Sequence, residues 1–208
     1  MLPMATSTSS VRNLAALREH GWGLLLTPSH PDPRGWTTYG IDNGAWEAFT
    51  QQTDWERVRP RWQRLIEDMG SGALWAVAPD IVCGGLASLD LSLSWVDWLA
   101  PRVPRVLLAV QDGMEAFHLR PHLSSSVGIF VGGSTEWKKR TMSEWAALAH
   151  EYGGWCHVGR VNTGRRISLC VLADVDSFDG TSASKFSCNV PRLTAATRRM
   201  RLPFDEVL

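Results

Sequence analysis

Short apolar runs recur along the 208 residues, and five of them stop at an acid, an amide or a glycine. Tyr39-Gly40-Ile41 runs into Asp42-Asn43-Gly44, and Ala76-Val77-Ala78 into Pro79-Asp80. Leu108-Ala109-Val110 runs into Gln111-Asp112-Gly113, Ile129-Phe130-Val131 into Gly132-Gly133, and Val175 to Phe178 into Asp179-Gly180. Runs of this length, bounded by turn residues, read as strands. The predicted strands are Gly23 to Thr27, Thr38 to Ile41, Leu74 to Val77, Arg105 to Val110, Val127 to Val131, Trp155 to Val158 and Val175 to Phe178. In a parallel sheet or barrel their C-terminal ends point to one rim, and that rim is where chemistry is placed.

Between the strands the apolar period changes to that of a helix. Val11 to His20 carries Val11, Leu14, Ala15 and Leu17 after serines that can cap it. Asp54 to Met69 places Trp55, Val58, Trp62, Leu65, Ile66 and Met69 on one stripe, with Pro60 implying a kink or a main helix that begins there. Ser88 to Leu99 reads as one helix, and Met114 to Leu119 as one or two turns. Thr141 followed by Glu144 reads as a capping box for a helix ending near Tyr152. Thr163 to Leu172 and Pro191 to Met200 are the last two helices.

Alternating strands and helices predict an α/β fold with parallel strands. Polar residues at nearly every strand end favour a barrel, because an open sheet concentrates them at its switch point. The expectation is one compact TIM-like (β/α) barrel over residues 11–208, with one strand missing or degraded, behind a loose leader at 1–10. Such a barrel usually takes about 250 residues.

Lys plus Arg equals Asp plus Glu at 21 each, so no net positive field marks a nucleic-acid binder, although a local basic patch is compatible with that balance. Eleven tryptophans supply core bulk or stacking surface. Cys83, Cys156, Cys170 and Cys188 are too far apart for a zinc cluster and read as reduced thiols. Of the six histidines only His118 and His122 have helical ligand spacing, and Pro121 between them argues against it. No metal or other cofactor is expected. There is no leading apolar signal and no membrane-length apolar stretch, so a cytoplasmic location is the expectation. Neither a dinucleotide nor a P-loop fingerprint is present.

The candidate chemistry rests on Asp42, Asp80 and Asp179. Paired carboxylates suit glycosidic chemistry, one attacking the anomeric carbon and the other moving protons. Gln111 and an aspartate suit the edge of a purine-like base, and Gly132 and Gly133 let a flat ring approach the backbone. Trp46 offers stacking or core packing. Glu47 or Asp112 could take the proton role instead of Asp42. Strand alternation puts Ser177 and Asp179 on one face and Asp176 and Phe178 on the other, with Asp176 expected to orient a neighbour within the barrel. Arg160, Arg165, Arg166, Lys185 and Arg192 are the local cations available for phosphates.

In this order, Gly40-Ile41-Asp42-Asn43-Gly44-Ala45-Trp46, Pro79-Asp80, Val110-Gln111-Asp112-Gly113, Val131-Gly132-Gly133 and Asp176-Ser177-Phe178-Asp179 resemble the tRNA-guanine transglycosylase superfamily. The resemblance is closer to its compact relatives in phage and bacterial DNA-modification systems, which place 7-deazaguanine bases in DNA. It covers roughly residues 38–189. It implies a TIM-like barrel that exchanges guanine for a deazaguanine through a covalent sugar–enzyme intermediate. It implies Asp179 as nucleophile, Asp42 as general acid/base, Asp80 and Gln111 as base-reading side chains, and Gly132 or Gly133 as the backbone contact. His157-Val158-Gly159-Arg160-Val161-Asn162, followed by Arg165-Arg166, also resembles the DNA-type members. The zinc cluster of the tRNA enzymes is absent, and Gly180-Thr181-Ser182 replaces their usual continuation. The implied partners are therefore guanine-containing DNA and a free 7-deazaguanine base, with a further subunit left open. Two other readings stand beside this one: a nucleoside or DNA N-glycosidic hydrolase on the same barrel, and a non-catalytic DNA- or protein-binding barrel. An aldolase-type site is disfavoured because Lys138, Lys139 and Lys185 lie in loop-like positions rather than at strand ends.

Overall fold

The structure is a computed structural model describing residues 1–198; the end of the helix expected at Pro191 to Met200 lies outside the described residues. Eight parallel strands close into a barrel in sequential order. They are β1 (Leu2–Thr6), β2 (Gly23–Leu26), β3 (Tyr39–Ile41), β4 (Ala76–Val77), β5 (Val106–Val110), β6 (Val127–Val131), β7 (Cys156–Val158) and β8 (Ser177–Gly180). Among the described residues ten α-helices accompany them: α1 (Val11–Glu19), α2 (Ala45–Thr50), α3 (Arg59–Met69), α4 (Leu86–Ser94), α5 (Val96–Leu99), α6 (Ala116–Leu119), α7 (Thr135–Glu151), α8 (Gly164–Leu172), α9 (Thr181–Lys185) and α10 (Val190–Thr197).

The strand that seemed missing is the leader. Leu2–Thr6 pairs with β8 on one side (Met4 with Asp179) and β2 on the other (Met4 with Gly23), which closes the barrel. Met4 and Ala5 are fully buried. Pro3 within so short a run, followed by serines and threonines, disguises it as a tail.

The alternative in which the main helix begins near Pro60 holds, and two other helix boundaries differ from expectation. The turn at Trp55–Arg57 precedes α3, which starts at Arg59 with Pro60 in its first turn, where a missing N–H costs nothing. Ser88 to Leu99 is two helices, broken at Trp95. The helix before β7 begins at Thr135 under a Ser134 cap that accepts from the Trp137 N–H (3.4 Å). Thr141 is interior to it, its hydroxyl donating back to Trp137 O (3.0 Å), so the apparent capping box there is a coincidence of spacing.

Alternation along the strands divides the core in two. Residues such as Ala5, Ile41, Leu108, Val131, Val158 and Phe178 pack outward against the helices. Met4, Leu25, Trp75, Val77, Leu107 and Ala109 fill the barrel interior. Gly40 makes room for one of them: a Cβ there would lie 2.6 Å from the Trp75 ring. The C-terminal strand ends open to the rim that carries Asp42, Asp80, Gln111 and Asp179.

Candidate functional site at the barrel mouth

The β3 and β4 ends are locked together beneath the rim. Asn43, buried, donates Nδ2 to Ala78 O (2.7 Å) and to Asp80 Oδ1 (2.8 Å), while its Oδ1 accepts from the Ala45 N–H (2.8 Å). Asp80 Oδ2 accepts from Gln111 Nε2 (3.0 Å). The same Nε2 reaches Ile81 O (2.9 Å) and Ser88 Oγ (3.1 Å), and Gln111 Oε1 accepts from the Gly84 N–H (3.1 Å). At 4% exposure Gln111 thus spends its amide on the loop from Asp80 to Ser88. Asp42 Oδ1 accepts from the Gly44 N–H (2.7 Å), and the left-handed Gly44 (φ 76°) turns the chain into α2.

The opposite wall is built by β7 and β8. Ser177 and Asp179 share the inward face of β8, and His157 faces them from β7, where it pairs with Ser177. His157 Nε2 lies 3.1 Å from Asp179 Oδ1, and its Nδ1 lies 2.7 Å from Ser177 Oγ. The Arg160 backbone N–H donates to the same Asp179 Oδ1 (3.2 Å). Among the described residues, Asp179 Oδ2 has no hydrogen-bond donor. Trp75 and Phe130 flank the imidazole at centroid distances of 4.5 and 5.1 Å. His157 is wholly buried, and the desolvation that follows holds its pKa below the usual histidine value despite the Asp179 carboxylate. The sequence reading placed His157 in a motif of the resemblance but gave it no role. The signal was its inward parity on a strand facing Ser177 and Asp179, but only the strand pairing supplies that register.

Arg160 lies across this mouth. It holds a positive φ of 61°, which a non-glycine residue keeps only when its surroundings fix it. Its guanidinium rests on the Trp46 ring, 3.9 Å from the centroid, and Nη2 donates to Gly133 O. Lys138, buried on α7, donates Nζ to Gly159 O from behind the same segment, and desolvation brings its pKa down to about 8.

Desolvation, followed by repulsion from Asp179, Asp80 and Glu47, pushes the Asp42 pKa up to about 7, against the lowering effect of the Gly44 N–H. Asp80 is also raised by desolvation, moderated by its bonds to Asn43 and Gln111. The mouth therefore holds one acid poised to exchange protons near neutrality beside one carboxylate pinned through a single oxygen.

The remaining sequence candidates sit as follows. Asp112 is exposed and binds the Ser134 N–H and hydroxyl (both 2.6 Å), fixing the turn after β6. Gly133 (φ 69°) is part of that turn, where a Cβ would meet Asp112 Oδ2 at 2.5 Å; Gly132 stands beside it, its N–H on Val110 O (2.9 Å). Glu47 accepts from Ser29 Oγ (2.5 Å) and Gln51 Nε2 (3.1 Å). Asp176 does not orient a neighbour within the barrel: its Oδ2 binds the Cys156 N–H (2.7 Å) and His150 Nε2 (3.0 Å) on the outward side. Arg165 and Arg166, with Lys139, Thr163 and Leu169, line an open cleft of about 260 Å³. Lys185 and Arg192 are exposed on α9 and α10. His118 bonds within its own turn to Glu115. Among the described residues, no three His, Cys, Asp or Glu side chains are grouped to hold a metal, and no helix is long and apolar enough to cross a membrane.

No family model and no curated protein matches the chain. Among solved structures it is similar to protein CitE from Mycobacterium tuberculosis in complex with magnesium and acetate, at 11% identity and a TM-score of 0.54, covering 97% of this chain and 92% of that one. It is also similar to CitE from the same organism complexed with the triphosphate group of ATP, at 12% identity and a TM-score of 0.51, covering 94% and 96%. At such identities the likeness concerns the fold alone: the chain has a TIM-barrel architecture, here with a buried His157–Asp179 pair at the C-terminal end of the barrel, where characterised TIM-barrel enzymes carry their active sites.

Proposed function

We propose that this protein is a DNA-guanine transglycosylase that replaces guanine in DNA with a 7-deazaguanine base through an aspartyl–sugar intermediate. The observation that carries the reading is the pairing of Asp42, with its pKa raised to about 7, and Asp179, pinned at Oδ1 with Oδ2 unengaged, in one barrel mouth. An acid poised near neutrality suits the proton carrier, and a carboxylate held by one oxygen with the other facing the mouth suits the nucleophile.

In this mechanism Asp179 Oδ2 attacks C1′ of the target deoxyguanosine. The C1′–N9 bond breaks and Asp42 gives its proton to the departing guanine. The incoming deazapurine surrenders its N9 proton to Asp42 and attacks C1′, releasing the Asp179 carboxylate. Two inversions leave the configuration at C1′ unchanged. Asp80 and the rim glycines Gly132 and Gly133 face the base, with Gln111 holding Asp80 in place. A base in duplex DNA must leave the stack to reach such a pocket. Arg160, with Arg165, Arg166 and Lys185 farther out, supplies charge for phosphates.

The test is base exchange. The protein is incubated with guanine-labelled duplex DNA, single-stranded DNA and tRNA, with and without 7-cyano- and 7-aminomethyl-7-deazaguanine. Label release from DNA with a matching mass gain is the expected result, and Asp179→Asn should form no covalent adduct while keeping its fold. Release that leaves an abasic site would make the protein a hydrolase. Adduct formation by Asp179→Asn would remove Asp179 as nucleophile.

A further inference from the structure

The barrel interior contains a polar chain that the reaction above does not use. Trp155, just before β7, donates its indole Nε1–H to Ser177 Oγ (2.8 Å). Ser177 Oγ lies 2.7 Å from His157 Nδ1, and His157 Nε2 lies 3.1 Å from Asp179 Oδ1. The chain runs through the barrel interior to the carboxylate at its C-terminal mouth. Ser177 and His157 are both wholly buried.

The direction of every proton in this chain follows from donor and acceptor capacity. An indole N–H can only donate, so Ser177 Oγ accepts there. The hydroxyl has one proton of its own, and among the described residues its other partner is His157 Nδ1. If Nδ1 carried a proton, Ser177 Oγ would accept twice and its own O–H would be left unsatisfied inside the barrel, which is costly. The hydroxyl therefore donates to a bare Nδ1. The imidazole proton then sits on Nε2, where the Asp179 carboxylate accepts it.

We infer that Trp155 and Ser177 are positioning residues that keep His157 neutral with its proton on Nε2, so that Asp179 presents Oδ2 to the mouth with its negative charge undiminished. An imidazolium at this place would form a full ion pair with Asp179 and blunt it as a nucleophile. His157 is thereby a holder of Asp179 and not a proton shuttle to substrate. The consequence for catalysis rests on the reading of Asp179 as nucleophile; the proton placement itself does not.

The charged groups bearing on His157 are Asp179 from β8, which favours the imidazolium, and Lys138 from α7, which opposes it. Trp75 and Phe130 supply apolar walls on the two ring faces. The lowered pKa of His157 agrees with this arrangement.

The experiment is long-range proton–nitrogen spectroscopy on protein labelled with ¹⁵N-histidine, with His157 assigned by its loss in His157→Gln. In the wild type at neutral pH, Nε2 should be protonated and Nδ1 bare; a protonated Nδ1 there overturns the inference. In Trp155→Gln the amide oxygen gives the hydroxyl a second acceptor, so Ser177 Oγ can donate there and accept from Nδ1–H, and the protonation midpoint should rise by about one pH unit or more. An unmoved midpoint in folded Trp155→Gln also overturns it. Ser177→Ala spares the indole and guards against misfolding: its Nδ1 resonance should shift to that of an acceptor without a donor, and an unchanged resonance counts against the chain. Adduct formation by Trp155→Gln should fall about tenfold relative to wild type on going from pH 8 to 6. If the wild type forms no adduct, the proposed reaction fails while the spectra still decide the proton placement.

Discussion

The Arg160 guanidinium carbon sits 3.9 Å from the centroid of the Trp46 ring, joining the loop after β7 to the helix after β3 across the barrel mouth. Its Nη2 bond to Gly133 O ties in the loop after β6 as well. No ion pair with a described carboxylate engages this guanidinium, although Asp179, Asp80 and Asp112 lie within its field. Donors remain for a substrate phosphate. Arg160→Ala should weaken binding of a guanine-containing single strand and flatten the dependence of log Kd on log salt by about 0.7, the share of one phosphate contact. Equal salt slopes for the two proteins would exclude a phosphate contact. Trp46→Ala should cost about 0.5–1 kcal/mol in chemical denaturation, as expected for a partly exposed cation–π pair.

Asp42 links stability to pH. Its folded-state pKa is raised from 3.8 to about 7, so between those values the folded protein binds more protons than the unfolded chain. Stability therefore falls as pH rises through this window, and the whole penalty is present above about 7. Asp42→Asn removes it while an amide oxygen can still accept from Gly44. The variant should match wild type near pH 4 and exceed it at pH 8 by about 1–3 kcal/mol, a range reduced for the partial exposure of the rim. Denaturant titrations at the two pH values check this. Loss of base exchange in the same, more stable variant would mark a functional group held at a cost to the fold.

The Gln111 amide is within hydrogen-bonding distance of four groups between Asp80 and Ser88, its two Nε2 hydrogens shared among Asp80 Oδ2, Ile81 O and Ser88 Oγ and its Oε1 accepting from the Gly84 N–H. Gln111→Ala leaves buried partners unsatisfied and should destabilise by about 1–3 kcal/mol. Amide exchange should accelerate selectively across residues 80–88. Faster exchange spread evenly over the barrel would mean that Gln111 supports the core generally and does not latch this loop.

Seven strands were legible because each couples a short apolar run to a polar end, and β2 to β8 follow those runs closely. β1 was not, since Pro3 and the neighbouring hydroxyl residues imitate a tail; its strand character comes from pairing with β2 and β8, which no local pattern encodes. At the site, the mouth does gather Asp42, Asp80 and Asp179 from separate strand ends, as rim parity suggested. The partners that define their behaviour were hidden. His157 reads as one polar residue in an apolar strand until β7 is set beside β8, and the Arg160–Trp46 stack joins residues 114 positions apart. Gln111 looked like a ligand-reading amide, yet buried loop carbonyls and hydroxyls satisfy it, a demand invisible without the loop's path.

The strand at the start of the chain can be tested directly. Met4 is wholly buried among Leu25, Trp75, Val77, Leu107 and Ala109. Met4→Ala should cost about 2–5 kcal/mol, the range for truncating a core side chain. A mobile leader would tolerate the change within about 0.5 kcal/mol, as surface positions do. Equilibrium unfolding of the variant separates the two outcomes.

The last prediction concerns the floor of the site. Gly40 lies on β3, and a Cβ there would stand 2.6–2.8 Å from three atoms of the Trp75 ring. Trp75 is wholly buried, so the ring cannot swing into solvent. Among its neighbours is the His157 imidazole, 4.5 Å away between centroids, and His157 holds Asp179 Oδ1. Strain introduced at Gly40 therefore has a path along Trp75 to His157 and on to Asp179. Gly40→Ala should destabilise by about 1–3 kcal/mol through overpacking. It should also displace the His157 ring resonances and reduce adduct formation, although Gly40 touches neither group. Destabilisation with unmoved His157 resonances would show that the barrel absorbs the added methyl elsewhere, and that Trp75 does not set the position of the imidazole.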